Sequence, residues 1–213
     1  MIKTIIVEDN LIMRKYFSDT LTEDGRFEVA AMYRDAFEAE NSCLDAGIGL
    51  VLMNVQTHRS HNGLAAGERL RQKGAKAKIV AVTNIVDPAV LERAKNGASD
   101  SLWYTDHSRE KLIDVIDRTL AGEHVFPDSP PGVELKEMSS AELTDRQLEV
   151  LRCFVRGMTY EEIAEKMYLS TIGVRKIIER IRKKGGFKSR WELMIALVES
   201  RLIAMSLVDQ EEK

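Results

Sequence analysis

Two groups of residues in this 213-residue chain could do chemistry, and they suit opposite partners. The first lies in Val174-Arg175-Lys176-Ile177-Ile178-Glu179-Arg180-Ile181-Arg182-Lys183-Lys184. Val174, Ile177, Ile178 and Ile181 recur at helical spacing and face inward, which leaves Arg175, Lys176, Glu179, Arg182 and Lys183 looking outward. A cationic helix face of this kind suits double-stranded DNA, where Arg and Lys bond base edges and neutralise phosphates. The second group is Glu8, Asp9, Asn54, Thr83 and Tyr104, which sit at the carboxyl ends of strand-like runs. A parallel sheet would gather them into one pocket.

The elements that must position these residues follow from hydrophobic periodicity. Ile5–Val7, Phe27–Ala30, Leu50–Met53, Ile79–Val82 and Ser101–Trp103 read as five strands. Helical stretches fall between and after them near 11–23, 34–46, 63–73, 88–95 and 108–121. Crossover helices joining such strands imply a parallel sheet covered on both faces. His124 to Ser140 carries three of the four prolines (Pro127, Pro130, Pro131) and interrupts the periodicity as a linker would. Four more helical stretches follow near 144–156, 160–167, 171–185 and 189–204, with Thr144 and Ser170 or Thr171 as caps and Gly157 as a stop. The expected domains are therefore 1–122, a linker at 123–140, and 141–208, with a frayed polar tail from Asp209.

Composition narrows the function classes. With 44% hydrophobic and 31% charged residues the chain reads as globular, and no apolar run approaches a membrane span. The start Met-Ile-Lys-Thr-Ile-Ile-Val lacks the pattern of a signal peptide, so a cytoplasmic location is expected. Cys43 and Cys153 show no metal or redox spacing and read as small buried residues. Between Glu142 and Arg190 twelve lysines and arginines stand against seven acids, although the chain as a whole carries −3. The back of the chain is thus basic and the front acidic.

Leu143-Thr144-x-Arg146-x-x-Glu149-Val150-Leu151, Gly157, Glu162-Ile163-Ala164, Leu169-Ser170, Val174-Arg175 and Lys188-Ser189-Arg190 together resemble the LuxR-type helix-turn-helix. The resemblance implies that Arg175 and Lys176 touch bases and that Ser170 and Thr171 lie near phosphate. Glu179, Arg182 and Lys183 complete the expected contact face. Three departures bear on the target sequence: Gly173 where Thr is common, Ile177 where His is common, and Glu179 where a basic or neutral residue is common. The last helix carries an apolar stripe of Leu193, Ile195, Ala196, Leu197, Leu202 and Ile203, read mainly as core, though family members also dimerise through it.

The front half resembles response-regulator receiver domains, and the whole chain is similar to the NarL/FixJ subfamily. The implied fold is α/β plus all-α: a flavodoxin-like (βα)5 receiver followed by a four-helix LuxR-type helix-turn-helix domain. In such receivers an acidic pair holds Mg²⁺, an Asp takes the phosphoryl group, a Thr or Ser bonds it and a Lys neutralises it. Glu8 and Asp9 match the acidic pair and Thr83 the hydroxyl. Asn54 stands at the acceptor position and Tyr104 at the Lys, while Ser101 replaces the usual aromatic switch and Thr57 the usual Pro. An amide offers no anionic nucleophile and removes a charge from a Glu8–Asp9 cation site, so magnesium is a doubtful cofactor and no other is implied. His58 and His61 form a pair without a third ligand and read as solvated.

The sequence therefore predicts a sequence-specific DNA-binding regulator with a degenerate receiver that acts without Asp phosphorylation. Its expected partners are double-stranded DNA and a second copy of itself, with RNA polymerase or another regulator as further candidates and no membrane. Two alternatives stay open. One is a phosphorylation-dependent two-component regulator whose acceptor site has been substituted. The other is an interaction protein that captures a partner regulator and scarcely binds DNA, which Gly173 and Glu179 favour. No nucleophile, base and oxyanion set can be assembled, so an enzyme is not expected.

Overall fold

The strands of the front unit are apolar on both faces, and the pleat divides their side chains between two layers. Ile5 and Val7 join one core with Val51 and Met53, while Ile6 joins the other with Leu50 and Leu52. β1 (Ile2–Val7), β2 (Phe27–Tyr33), β3 (Ile48–Asn54), β4 (Lys78–Thr83) and β5 (Ser101–Tyr104) form one parallel sheet in the order β2-β1-β3-β4-β5. Five helices connect or follow the strands: α1 (Leu11–Asp24), α2 (Ala36–Cys43), α3 (Gly63–Gln72), α4 (Pro88–Arg93) and α5 (Leu112–Leu120). This is the flavodoxin-like receiver arrangement, followed in the chain by a helical domain.

The computed structural model describes residues 1–57, 61–106 and 110–203. The described residues divide into two units, Met1–Asn84 with Pro88–Ser129, and residues 130–203, with which Ile85–Asp87 is grouped.

Side-chain caps set the helix starts. Asn10 accepts from the Ile12 and Met13 amides, Asp35 from Phe37 and Glu38, and Asn62 from Leu64 and Ala65. The expected helix at 34–46 is shorter at both ends: Asp35 is its cap, and it stops at Cys43. The expected helix at 88–95 ends at Arg93 and gives way to a π-helical turn, Ala94–Ala98, in which Gly97 takes φ 104°. The expected start of the fifth helix at 108 lies outside the described residues. Cys43 and Cys153 are buried as expected, and burial pushes the Cys43 thiol up to about 12.

In the second unit the linker reading needs correction. Glu134–Leu135 (β6) and Met138–Ser139 (β7) pair as an antiparallel hairpin and a 3-10 turn follows at Ser140–Glu142. Leu135 and Met138 are buried, and Lys136 turns the chain at φ 59°. Two apolar residues within a polar, proline-rich stretch are too few to register as periodicity. Four helices follow: α6 (Asp145–Val155), α7 (Tyr160–Lys166), α8 (Thr171–Lys184) and α9 (Arg190–Glu199).

Capping boxes start α6 (Thr144 with Gln147) and α7 (Thr159 with Glu162), while Ser170 caps α8 and Ser189 caps α9. Leu148, Leu151, Ile163, Val174, Ile178, Ile181, Leu193 and Leu197 fill the core, each worth roughly 1.5–3 kcal/mol on burial. Ile177, expected inside, is only half-buried. The stripe on α9 also splits: Leu193, Leu197, Leu202 and Ile203 are buried, but Ile195 is exposed, as is Trp191. The expected end of this helix at 204 and the tail from Asp209 lie outside the described residues.

Candidate nucleic-acid interface and receiver pocket

The sheet brings the carboxyl ends of β1, β3, β4 and β5 to one edge, and the pocket residues come with them. Glu8 follows β1 and is only 3% exposed, while Asn54 ends β3. Asn54 Nδ2 donates to Glu8 Oε1 at 3.0 Å, and the Asn10 amide donates to the same oxygen at 2.9 Å. Asn54 Oδ1 accepts from the Gln56 amide at 3.2 Å. Both polar ends of Asn54 are thus used within the pocket. Burial pushes the Glu8 carboxyl up to about 7, reinforced by the neighbouring Asp9 and opposed by the donors at Asn10 and Asn54.

Thr83 ends β4 in register with Tyr104 on β5, and both are buried. Ser101, at the start of β5, is buried with its hydroxyl 2.7 Å from that of Thr119 and accepting from the Val125 amide at 3.0 Å. Sequence reasoning missed Arg14, whose guanidinium donates to the Glu8 carbonyl at 2.7 Å. It also missed what pins α3 against the pocket. A Cβ on Gly63 would stand 2.0 Å from the Asn54 carbonyl oxygen, so only glycine permits that approach.

His61 is corrected from a solvated loop residue to a paired one; His58 lies outside the described residues. His61 Nδ1 stands 2.6 Å from Asp35 Oδ2, a carboxylate buried at the end of the β2 loop. Thr57 Oγ1 donates to the His61 carbonyl at 3.0 Å and accepts from the Ala36 amide at 3.1 Å. Thr57 therefore stitches the loops after β2 and β3 together. Burial raises the Asp35 carboxyl, but His61 and the Glu38 and Phe37 amides outweigh it and bring it below its usual range. The signal that could have found this pair was Asp35 itself, which sequence reasoning did not consider.

On the second unit, α7 and α8 pack on one another. Their turn passes through Tyr168, at φ 52° and 95% exposed. The Ser170 hydroxyl accepts from the Gly173 amide at 3.0 Å, so its first role is to cap α8. Thr171 is half-buried; Arg175, Lys176, Arg180 and Lys183 are exposed. The outward placement expected for Arg182 is corrected. Its side chain is 20% exposed, donates to the Phe187 carbonyl at 2.7 Å and pairs with Glu179 at 2.9 Å. Arg182 thereby holds the corner between α8 and α9, and it draws the Glu179 carboxyl below its usual range, aided by Arg190 and Lys183.

Tyr160, at the start of α7, was not anticipated. The Arg175 guanidinium lies 5.8 Å from its ring centre and that of Arg190 5.6 Å, and Arg190 donates to the phenol oxygen at 2.5 Å. One ring thus steadies Arg175 on the basic face of α8 and Arg190 at the start of α9.

Comparison with known proteins agrees with this division. A family model described as the response regulator receiver domain matches residues 4–116, and one described as bacterial regulatory proteins of the luxR family matches 141–197. The transcriptional regulatory protein YvfU of Bacillus subtilis (strain 168) is 27% identical over 90% of this chain and 94% of its own length. The oxygen regulatory protein NreC of Staphylococcus aureus (strain JH9) is 25% identical over 94% of this chain and 99% of its own. Among solved structures, RcsB described as two dimers bound to two parallel DNAs superposes with a TM-score of 0.61. The two share 19% identity over 92% of this chain and 98% of that one. RcsB from Salmonella enterica serovar Typhimurium, bound to promoter rprA with phosphomimetic BeF3⁻, gives 0.60 at 18% identity, with the same coverage. At these identities the superpositions speak for the fold, and it is the family models that place this chain among the response regulators that join a receiver domain to a LuxR-family helix-turn-helix.

Proposed function

We propose that this DNA-binding response regulator works without phosphorylation of residue 54, its receiver serving as a dimerisation or ligand-sensing platform for the basic face of α8. One contact carries the reading: the amide of Asn54, at the acceptor position, donates to Glu8 Oε1 at 3.0 Å. The group that would attack phosphorus is instead a neutral donor engaged with the neighbouring acid.

Related receivers hold Mg²⁺ at the acidic pair, and the residues here do not fit that ion. A hard cation needs anionic oxygens directed at it. Glu8 Oε1 already accepts two hydrogen bonds, burial pushes its carboxyl up to about 7, and Asn54 turns a donor toward it. Buried Tyr104, in the place of a lysine, offers a phosphoryl group no cationic partner.

On DNA the reading gives Arg175 and Lys176 to base edges and Lys183 to the phosphate backbone, with Thr171 beside it. In capping α8 the Ser170 hydroxyl accepts from the Gly173 amide, which leaves its O–H free to donate to a phosphate. RcsB is described as bound to DNA in dimers. Two copies of this chain would likewise span half-sites one helical turn apart, roughly 10 bp. Gly173 and Glu179 favour the rival interaction-protein reading, but Gly173 lies within a formed, Ser170-capped helix and the charge of Glu179 is offset by Arg182.

Treatment with acetyl phosphate tests the proposal. Intact-mass measurement should find no phosphorylated species, and affinity for a bound duplex should not change. Asn54→Asp should gain little phosphate because Tyr104 is unaltered. A phosphorylated native chain with tighter DNA binding overturns the reading.

A further inference from the structure

The outer face of α8 is not wholly polar. Ile172, in the first turn, is 67% exposed, whereas Val174, Ile178 and Ile181 on the same helix are buried. The helical repeat sets Ile172 four residues before Lys176 and eleven before Lys183, on one line along the outward side, with Arg175 on its flank. The apolar side chain therefore lies within the cationic stripe. A β-branched residue in an exposed first turn gains nothing from core burial and has a lower helix propensity than Ala or Lys.

Resting on the DNA-binding reading above, we infer that Ile172 is a specificity-determining residue that reads the 5-methyl group of a thymine in the major groove. Each base pair presents its own pattern there, and the thymine methyl is the one apolar feature in it. The amino-terminal residues of a recognition helix include those that meet base edges, and an aliphatic side chain there has a thymine methyl, not a phosphate, as its complement. The cations of the face determine the occupant: Arg175 and Lys176 are exposed within one turn of Ile172, Arg180 and Lys183 are exposed further along the same helix, and a polyanion that displays methyl groups in its groove complements that mixture. An apolar protein groove would have to desolvate the same four cations to reach it. The inference names a base, which Arg175 and Lys176 alone do not: an A·T pair at the step facing the first turn of α8.

The test uses the full chain and duplexes that it enriches from a random pool. Each thymine of an enriched duplex is replaced in turn by uracil, which removes only the methyl group. With the native chain, uracil at one position per half-site should weaken binding by about threefold to tenfold, as expected for loss of one well-packed apolar contact. Ile172→Ala should bind the thymine and uracil duplexes equally at that position, and Ile172→Val should retain part of the difference. Helical content by circular dichroism checks that α8 still forms. If Ile172→Ala shows the same uracil penalties as the native chain at every position, or if no uracil weakens native binding, Ile172 reads no methyl while the DNA-binding reading stands. If the pool yields no enriched duplex and affinity shows no salt dependence, the DNA-binding reading fails first and takes this inference with it.

Discussion

Glu8 and Lys176 are charged residues at the working ends of their units, and they have opposite fates. Glu8 is buried, accepts from Asn10 and Asn54, and is held near neutrality. Lys176 stands exposed on a face where the nearest acid along the helix, Glu179, is paired with Arg182. The receiver pocket satisfies itself, while the face of α8 retains cations for an external anion. Charge that is internally compensated reports on stability, and charge left outward reports on binding. That contrast can be broken from either side.

The largest effect should come from Gly63, where an added methyl would meet the Asn54 carbonyl oxygen at 2.0 Å, a backbone atom that cannot swing aside. Gly63→Ala should destabilise the receiver unit by about 3 kcal/mol or more, because α3 must retreat from the pocket or distort. A calorimetric scan should show the receiver transition shifted down by several degrees. If the variant melts like the native chain, the pocket is looser than its hydrogen bonds imply and the contrast with α8 weakens.

Next in size are Arg175→Ala and Lys176→Ala. Each base contact removed should cost about 1–3 kcal/mol of DNA affinity, with discrimination at one position relaxed. Lys183→Ala should instead weaken all sequences alike and lower the salt slope by about one. Fluorescence anisotropy at four or five salt concentrations separates the two behaviours. Equal losses on every sequence for all three variants would reduce the face to a backbone clamp.

The two regions were unequally legible in the sequence. The order of the strands in the sheet comes only with the family resemblance, whereas the five strands, the gathering of Glu8, Asn54, Thr83 and Tyr104 at their carboxyl ends, and the outward placement of Arg175, Lys176 and Lys183 follow from periodicity, which depends on local pattern alone. Arg182 did not, since its direction is decided by the Phe187 carbonyl five residues away, around a corner that periodicity does not describe. Tyr160 and the Asp35–His61 pair depend on contacts across loops, and the hairpin at Leu135 and Met138 on two residues too few to make a pattern. What stayed hidden in the pocket was partnership: the side chain that Asn54 bonds with depends on sheet register, not on the identity of residue 54.

A smaller effect concerns pH. The Glu8 carboxyl sits at about 7 in the folded unit against an ordinary 4.5, so the folded state holds an extra proton between those values. Its contribution to stability is complete below pH 4.5 and is lost as pH rises through about 7, on the order of 2 kcal/mol. Glu8→Gln, which stays neutral, should flatten that fall in the receiver transition. A native chain whose receiver gains stability between pH 5 and 7 would place the carboxylate, not the acid, in the pocket.

The smallest effect tests whether the outward charges are themselves organised. Tyr160 holds Arg190 by a 2.5 Å hydrogen bond and lies beneath the guanidinium groups of both Arg190 and Arg175. Tyr160→Phe keeps the ring and loses the bond; Tyr160→Leu loses the ring too. A surface cation–π contact is worth about 0.5–1 kcal/mol, so Phe should leave discrimination at the base read by Arg175 intact while Leu reduces it by a few-fold. A purely structural role for Tyr160 would lower affinity for all sequences together with the melting temperature, and would not single out one base. Loss of discrimination in Leu but not in Phe, at unchanged stability, would mean that Arg175 is fixed in place on α8 before the duplex arrives.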